Sequence, residues 1–279
     1  MKAVVPIIVV DLFPQLHREL MALLRSLSDE AWGRPTAARA WLVKDIAAHL
    51  LDGTIRRLSF QRDHTPLPQP PSQIEKYNDL VAFLNQLNAE WVKAAQRISP
   101  RLLIGFLDIT GVQVFQFFKT LDPFAPAMFP VAWAGQEKSP NWFDMAREYT
   151  EQWHHQQQIR EAVGAPGLID RQWLYPVLDT FLRGLPHTYR AGESSDGTKI
   201  EFIITGEAGG EWMLSRENQA WELYTGNAPD AACRVRLNQD TAWRLMTNGL
   251  NSEDVFARVE IMGEKTLGMP ILKMRTVMV

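Results

Sequence analysis

In the first half of the chain, apolar residues return every three or four positions, the period of a helix with one buried face. Leu12, Leu16, Leu20, Leu23, Leu24 and Leu27 define a first helix between Asp11 and Leu27, with Pro14 near its start, where proline is tolerated. Val43, Ile46, Ala47, Leu50 and Leu51 form the stripe of a second, which runs to about Asp63. Four prolines between Thr65 and Ser72 then require a loop. A third helical pattern extends from Gln73 to Ile98, with Leu80, Phe83, Leu84, Leu87 and Trp91 on its buried side. Ser99-Pro100 reads as the cap and first-turn proline of a fourth, Arg101 to Leu121, although its run of Ile109, Val112, Val114, Phe115, Phe117 and Phe118 also suits a strand. The proline-bearing segment 122–140 is a loop long enough to cover a site. Asn141 to Val163 contains neither Pro nor Gly and lies between Ser139-Pro140 and Gly164, so it reads as a capped helix that closes a bundle.

The second half changes period. Leu168 to Leu185 is one more amphipathic helix, stopped by Gly184 and Pro186. After Gly192 the pattern alternates. Ile200, Phe202 and Ile204 mark a strand, Glu211 to Leu214 and Ala220 to Tyr224 a hairpin turning at Arg216-Glu217-Asn218, and Cys233 to Leu237 a further strand. Asp240 to Leu250 reads as a helix, Val259 to Met262 as a strand, and Thr266 to Met274 as a closing helix interrupted near Pro270. The expected fold is therefore an all-α four-helix bundle over residues 1–165 followed by a smaller α+β domain over 166–279.

Composition narrows the classes of function. With 46% apolar residues among 279, the chain can bury a sizeable core. Its net charge of -3 carries no basic surplus, which argues against nucleic acid and against an anionic membrane as partner. No apolar run approaches the ~20 residues that cross a bilayer. The hydrophobic Met1–Val10 runs straight into Asp11 without a small-residue cleavage site, so it reads as a lead-in to a helix and not as an export signal. The single cysteine, Cys233, excludes an intramolecular disulfide, fits a reducing, cytoplasmic compartment, and alternates with Val235 and Leu237 as a packed core thiol.

The candidate chemistry lies on the last helix of the bundle. Residues four apart on a helix share a face about 6 Å apart along the axis, so Glu151 and His155 point the same way. A carboxylate and an imidazole at that spacing can share one divalent ion, and a catalytic site needs only a third protein ligand. His49, at the edge of the second helix's apolar stripe, is the candidate. Projection places Trp142, Met145, Tyr149 and Trp153 in the buried stripe of the last helix, His155 beside it, and His154 almost opposite, facing solvent or standing behind the ligands. Glu148 reads as a solvated carboxylate or a further ligand, and Gln156, Gln157 and Gln158 as polar helix positions. Asp52 is placed to orient His49 through its second ring nitrogen, and Arg56 to hold an anionic group of a substrate. Arg160, Arg183, Arg236 and Arg244 qualify for that role on charge alone.

Trp32, Pro35-Thr36, Trp41 and the run Val43-Lys44-Asp45-Ile46-Ala47-Ala48-His49-Leu50, followed by Glu151-Gln152-Trp153-His154-His155, resemble the bundle of the mycothiol-dependent maleylpyruvate isomerase family, a branch of the DinB-like superfamily. The resemblance covers roughly Val5 to Gly164. It implies one divalent metal ion on His49, Glu151 and His155, zinc first and nickel as an alternative, and a low-molecular-weight thiol such as mycothiol as cofactor. It implies that the α+β module is sterol-carrier-like. The implied activity is that of a thiol-dependent isomerase or transferase, in which the thiol adds to a small conjugated acid or other electrophile, permits rotation about the former double bond, and leaves. Two further functions stay open, a metal-dependent hydrolase and a non-catalytic small-ligand or lipid-binding protein with a structural metal. Monomer and homodimer are equally compatible with the sequence.

Overall fold

The period-3.6 segments all form helices in the computed structural model, which describes residues 2–277 apart from Arg39 and Glu193. They are α1 (Phe13–Ser26), α2 (Val43–Arg56), α3 (Tyr77–Ala95), α4 (Pro100–Phe118) and α5 (Asn141–Val163). Segment α4, whose pattern also suited a strand, is helical from Pro100. Ser99 caps it by accepting a hydrogen bond from the Leu102 N–H at 3.4 Å, and the proline occupies the first turn, where no N–H is needed. Asp45 does the same service for α2, accepting from the Leu42 N–H at 3.0 Å.

Two of these helices depart from the sequence expectation. The second does run on toward Asp63, but beyond Arg56 it widens into a π-helical turn over Arg57–Arg62. In α3 the expected buried side is only half-buried, and Val92 and Ala95 alone are fully enclosed. Helix α4 is 19 residues long and apolar enough to cross a bilayer by length and composition, against the expectation that no segment is. It packs instead in the bundle, burying Leu103, Leu107, Val114 and Phe118 while Leu102, Phe106 and Ile109 stay exposed. The bundle core joins Leu20 and Leu24 of α1, Ile46, Ala47 and Leu51 of α2, Leu103 and Leu107 of α4 and Ile159 of α5. Each such side chain contributes about 1.5–3 kcal/mol on burial.

The chain forms two compact units, neither of them one stretch of sequence. The first comprises 8–128 and 148–168, and the second the described residues of 1–7, 129–147 and 169–278. The sequence division at 165/166 falls close to the last of these passages and does not include the two earlier ones. Lys2–Ala3, expected to lead into a helix, forms strand β1 at the edge of the second unit's sheet. Segment 122–140 is not all loop, since Ala132–Ala134 form a helical turn with Trp133 packed on Phe143 and Phe181.

The second unit continues with α6 (Arg171–Leu182), α7 (Leu185–Tyr189), β2 (Lys199–Thr205), β3 (Gly210–Glu217), β4 (Ala220–Thr225), β5 (Cys233–Asn238), α8 (Gln239–Met246), α9 (Ser252–Arg258), β6 (Glu260–Gly263) and α10 (Lys265–Gly268). The six strands run in the order β1-β4-β3-β2-β5-β6, with β2 and β5 parallel and the other pairs antiparallel. The β3–β4 hairpin turns at Asn218 and Gln219, both with positive φ, two residues later than the sequence placed its centre. Such a two-residue turn matches the twist of the strands it joins. Helix α9 lies where the sequence pattern ran without a break, and only the last stretch, α10 followed by a 3-10 segment at Met269–Lys273, shows the expected interruption. Ile200, Phe202 and Ile204 of β2 are buried, as are Val177, Leu178 and Phe181 of α6. Cys233 is buried with them, and burial pushes its thiol up to about 11, the condition of a packed thiol and not of a nucleophile.

Candidate metal centre

Helix α5 is polar yet buried on nearly every side, because its polar atoms satisfy chain ends and loops around it. Gln156 Nε2 donates to the Leu16 carbonyl at 3.1 Å, the Leu168 N–H donates to Gln157 Oε1 at 2.9 Å, and Trp153 Nε1 donates to the Leu168 carbonyl at 2.9 Å. Arg160 donates to the Pro166 carbonyl at 2.8 Å and pairs with Glu19. A buried polar group is tolerable when it is hydrogen-bonded in this way. The projection by hydropathy therefore misplaced several residues. His154, expected on the solvent side, is 7% exposed, and Gln156, Gln157 and Gln158 are buried as well.

Glu148 is also buried, and it is neither solvated nor free to act as a simple ligand. Arg57, 3% exposed in the π-helical turn, donates to Glu148 Oε2 through Nε at 3.1 Å and Nη2 at 3.0 Å. A third donor, Nη1, reaches Gln61 Oε1 at 3.1 Å, and the guanidinium lies over the Phe118 ring. Nothing in the sequence singles out Arg57, since its burial follows from the widened turn.

The three predicted ligands do converge. His49 Nε2 lies 3.4 Å from Glu151 Oε1, and His155 Nε2 lies 3.1 Å from the same oxygen. The two imidazole rings meet edge to face with centroids 4.6 Å apart. Trp41 packs against both, at 4.9 Å from the His49 ring and 6.2 Å from that of His155. Both histidines are nearly enclosed, whereas the Glu151 side chain keeps 34% of its surface, so the centre is open on the carboxylate side.

The protonation of the three groups is set by their mutual contact. Burial lowers the His49 pKa, and Glu151 only partly opposes it, so His49 favours the neutral form. Burial also works against the charge on Glu151, but hydrogen bonds from His155 and His49 overcome it and hold the carboxyl well below its usual range. At His155 the penalty of burial is outweighed by Glu151, Gln158 and Glu148, and its pKa is raised. The group thus contains one carboxylate, one neutral imidazole and one imidazolium whose proton occupies the space between Nε2 and Glu151.

This donor set fits a divalent ion. The two imidazole nitrogens and the carboxylate oxygen all lie within 4.8 Å of one another. Donors about 2.0–2.1 Å from a tetrahedral zinc ion stand roughly 3.3 Å apart, close to the two spacings found. Behind His155, Nδ1 is 2.8 Å from Gln158 Oε1, the kind of contact that fixes a ligand ring. His49 has no equivalent, since its buried Nδ1 has no hydrogen-bond partner among the described residues. Asp52, expected to orient it, forms an ion pair with Arg56 instead, and Arg56 also donates to Asn88 Oδ1 at 3.1 Å. Burial raises the Asp52 pKa despite that pairing. Gln158 was passed over in the sequence because it was grouped with two other glutamines, although its position three residues after His155 puts both on one face.

Comparison with known proteins places the chain in context. No curated protein matches its sequence significantly. Crystal structures of the mycothiol-dependent maleylpyruvate isomerase and of a histidine-to-alanine mutant of it share the fold, with TM-scores of 0.51 and 0.53. Their identities are 9% and 10%, and in both cases 90% of each chain is covered. A sterol carrier protein 2 from Yarrowia lipolytica is 18% identical over 48% of this chain and 89% of its own, with a TM-score of 0.23 that carries no weight. The family model described as the mycothiol maleylpyruvate isomerase N-terminal domain matches residues 13–160, a span that contains His49, Glu151 and His155. With more than half of its 279 residues matched, this chain belongs to the mycothiol maleylpyruvate isomerase N-terminal domain family.

Proposed function

We propose that the chain is a metal- and thiol-dependent isomerase or transferase in which His49, Glu151 and His155 hold one divalent ion, zinc by preference. The observation that supports this most directly is the convergence of two imidazole Nε2 atoms, from different helices, on a single carboxylate oxygen. When bound, a divalent ion in such a set lowers the pKa of a thiol or water toward neutrality and so supplies a thiolate at physiological pH. Two neutral imidazoles and one carboxylate leave that ion with net positive charge, which favours an anionic ligand in the open position.

The residues around the centre have separable tasks. His49 is ready to act as a neutral ligand because burial disfavours its charged form. Glu151 stays ionised and keeps its exposed side toward incoming molecules. Trp41 covers the rings of both histidines and limits water there. The cofactor is a low-molecular-weight thiol, mycothiol by kinship, and the substrate a small conjugated acid or other electrophile. Arg56, held by Asp52 and Asn88 two turns beyond His49 on α2, is the proposed cationic partner of a substrate carboxylate. The single cysteine suits a reducing compartment, and we place the protein in the cytoplasm.

The test combines metal content with thiol dependence. The purified protein is expected to carry about one ion per chain and the His49→Ala variant near none. Turnover of a conjugated acid should require added thiol. Equal metal content in the two proteins removes the site, and hydrolysis that proceeds without thiol replaces the isomerase reading with that of a hydrolase.

A further inference from the structure

We propose that Gln158 is a positioning residue that keeps a hydrogen on Nδ1 of His155, so that Nε2 is the nitrogen at which a proton is exchanged for a metal ion. Its purpose depends on the ligand role proposed above for His155, but the bonding itself does not.

Gln158 follows His155 by three residues on α5, on the same face of the helix. Its Oε1 is 2.8 Å from His155 Nδ1, and its Nε2 is 3.1 Å from His154 Nε2. All three side chains are buried, so water does not stand in for a lost partner. A carboxamide has one accepting end and one donating end, and a ring nitrogen is either a donor or an acceptor. With Oε1 toward His155, Nδ1 must carry a hydrogen and donate it. With the amide NH2 toward His154, Nε2 of that ring must be bare.

Reversing the amide reverses every assignment. The NH2 group would then need a bare Nδ1 on His155, and the hydrogen would move to Nε2, where it blocks coordination. His154 prevents this reversal as long as its Nε2 accepts. On the other side of the His155 ring, Nε2 faces Glu151 Oε1 at 3.1 Å. Both ring nitrogens of His155 thus face oxygen acceptors, Gln158 on one side and Glu151 on the other. Nδ1 keeps its hydrogen whether Nε2 carries a proton or an ion, and only the Glu151 side changes occupant.

The test uses two variants of the full chain and the imidazole N–H signals in nitrogen-15 NMR, with and without zinc. In the wild type, His155 Nδ1–H is expected as a signal protected from solvent exchange in both forms. Gln158→Leu removes acceptor and donor together, so that signal should be lost and zinc should bind about 10–100-fold more weakly. Gln158→Glu keeps the acceptor for His155 and loses the donor for His154. It should retain the His155 signal and zinc binding within a few-fold, and shift the hydrogen of His154 to Nε2. A merely structural glutamine would not move the two histidines separately. A His155 signal that persists in Gln158→Leu, or a bare Nδ1 in the wild type, overturns the assignment. If the signal depends on Gln158 but no zinc binds, the metal centre falls and the role of Gln158 in holding Nδ1 stands. If zinc binds equally to wild type and Gln158→Leu with the signal unchanged, the reverse holds.

Discussion

At the scale of single residues, a proton and a divalent ion compete for one position. Glu151 is ionised, and His155, with its raised pKa, fills the space beside it with a proton that an ion must displace. The sign follows from that release. Below the His155 pKa each bound ion expels one proton, so affinity should rise about tenfold per pH unit and level off once the ring is neutral. His49 adds little to the slope near neutrality because its own pKa is lowered. Titration of zinc affinity against pH, in a competing chelator of known affinity, checks this. A flat profile across the imidazole range would contradict the displacement of a proton from His155.

The candidate ligands were legible in the sequence because two rules suffice to find them, helical spacing on α5 and the edge of an apolar stripe on α2. Their support was not. Glu148, His154 and the three glutamines are polar, and a projection that sorts residues by hydropathy sends polar groups outward. Their burial depends on partners far along the chain, Leu16, Arg57 and Leu168 among them, and local pattern carries no trace of such pairing.

At the scale of elements, the two glycines of α4 make opposite demands. Gly105 has nothing within 4 Å of the place a Cβ would occupy. Gly105→Ala should therefore raise stability by about 0.8–1.0 kcal/mol, the ordinary gain of alanine over glycine in a helix. At Gly111 a Cβ would stand 2.3 Å from Cε1 of the His17 imidazole, which α1 holds against α4. Gly111→Ala should destabilise by roughly 1–3 kcal/mol through overpacking. Urea denaturation of the two variants decides the matter, and equal gains in both would show that α1 and α4 do not approach as closely as described. The helices were legible from period alone, but the widened turn after Arg56 was not. A π-helical turn changes which residues face inward without changing the hydropathy pattern.

At the scale of the whole molecule, the chain order of the two units was read as a single cut, and the structure threads it differently. Residues 129–147 belong with the sheet, where Trp133 packs on Phe181 at 6.3 Å, and β1 pairs with β4 through Lys2 and Ala3. Period and alternation identify elements but not which unit a loop joins, and a two-residue strand has no pattern to read. A fragment beginning at residue 166 therefore lacks part of its own core. It should show lower thermal stability than a version of the second unit that also includes residues 1–7 and 129–147 joined through a linker. Circular dichroism melting of the two compares them directly, and equal stability would show that these segments contribute nothing.

The claim on which the functional reading depends is that His49, Glu151 and His155 bind one ion together. A crystal of the zinc-loaded protein, measured on both sides of the zinc absorption edge, tests it most directly. The account predicts one anomalous peak per chain at bonding distance from Nε2 of His49, Nε2 of His155 and a carboxylate oxygen of Glu151, with Gln158 still bonded to His155 Nδ1. No peak there, or a peak held by other residues, would contradict it.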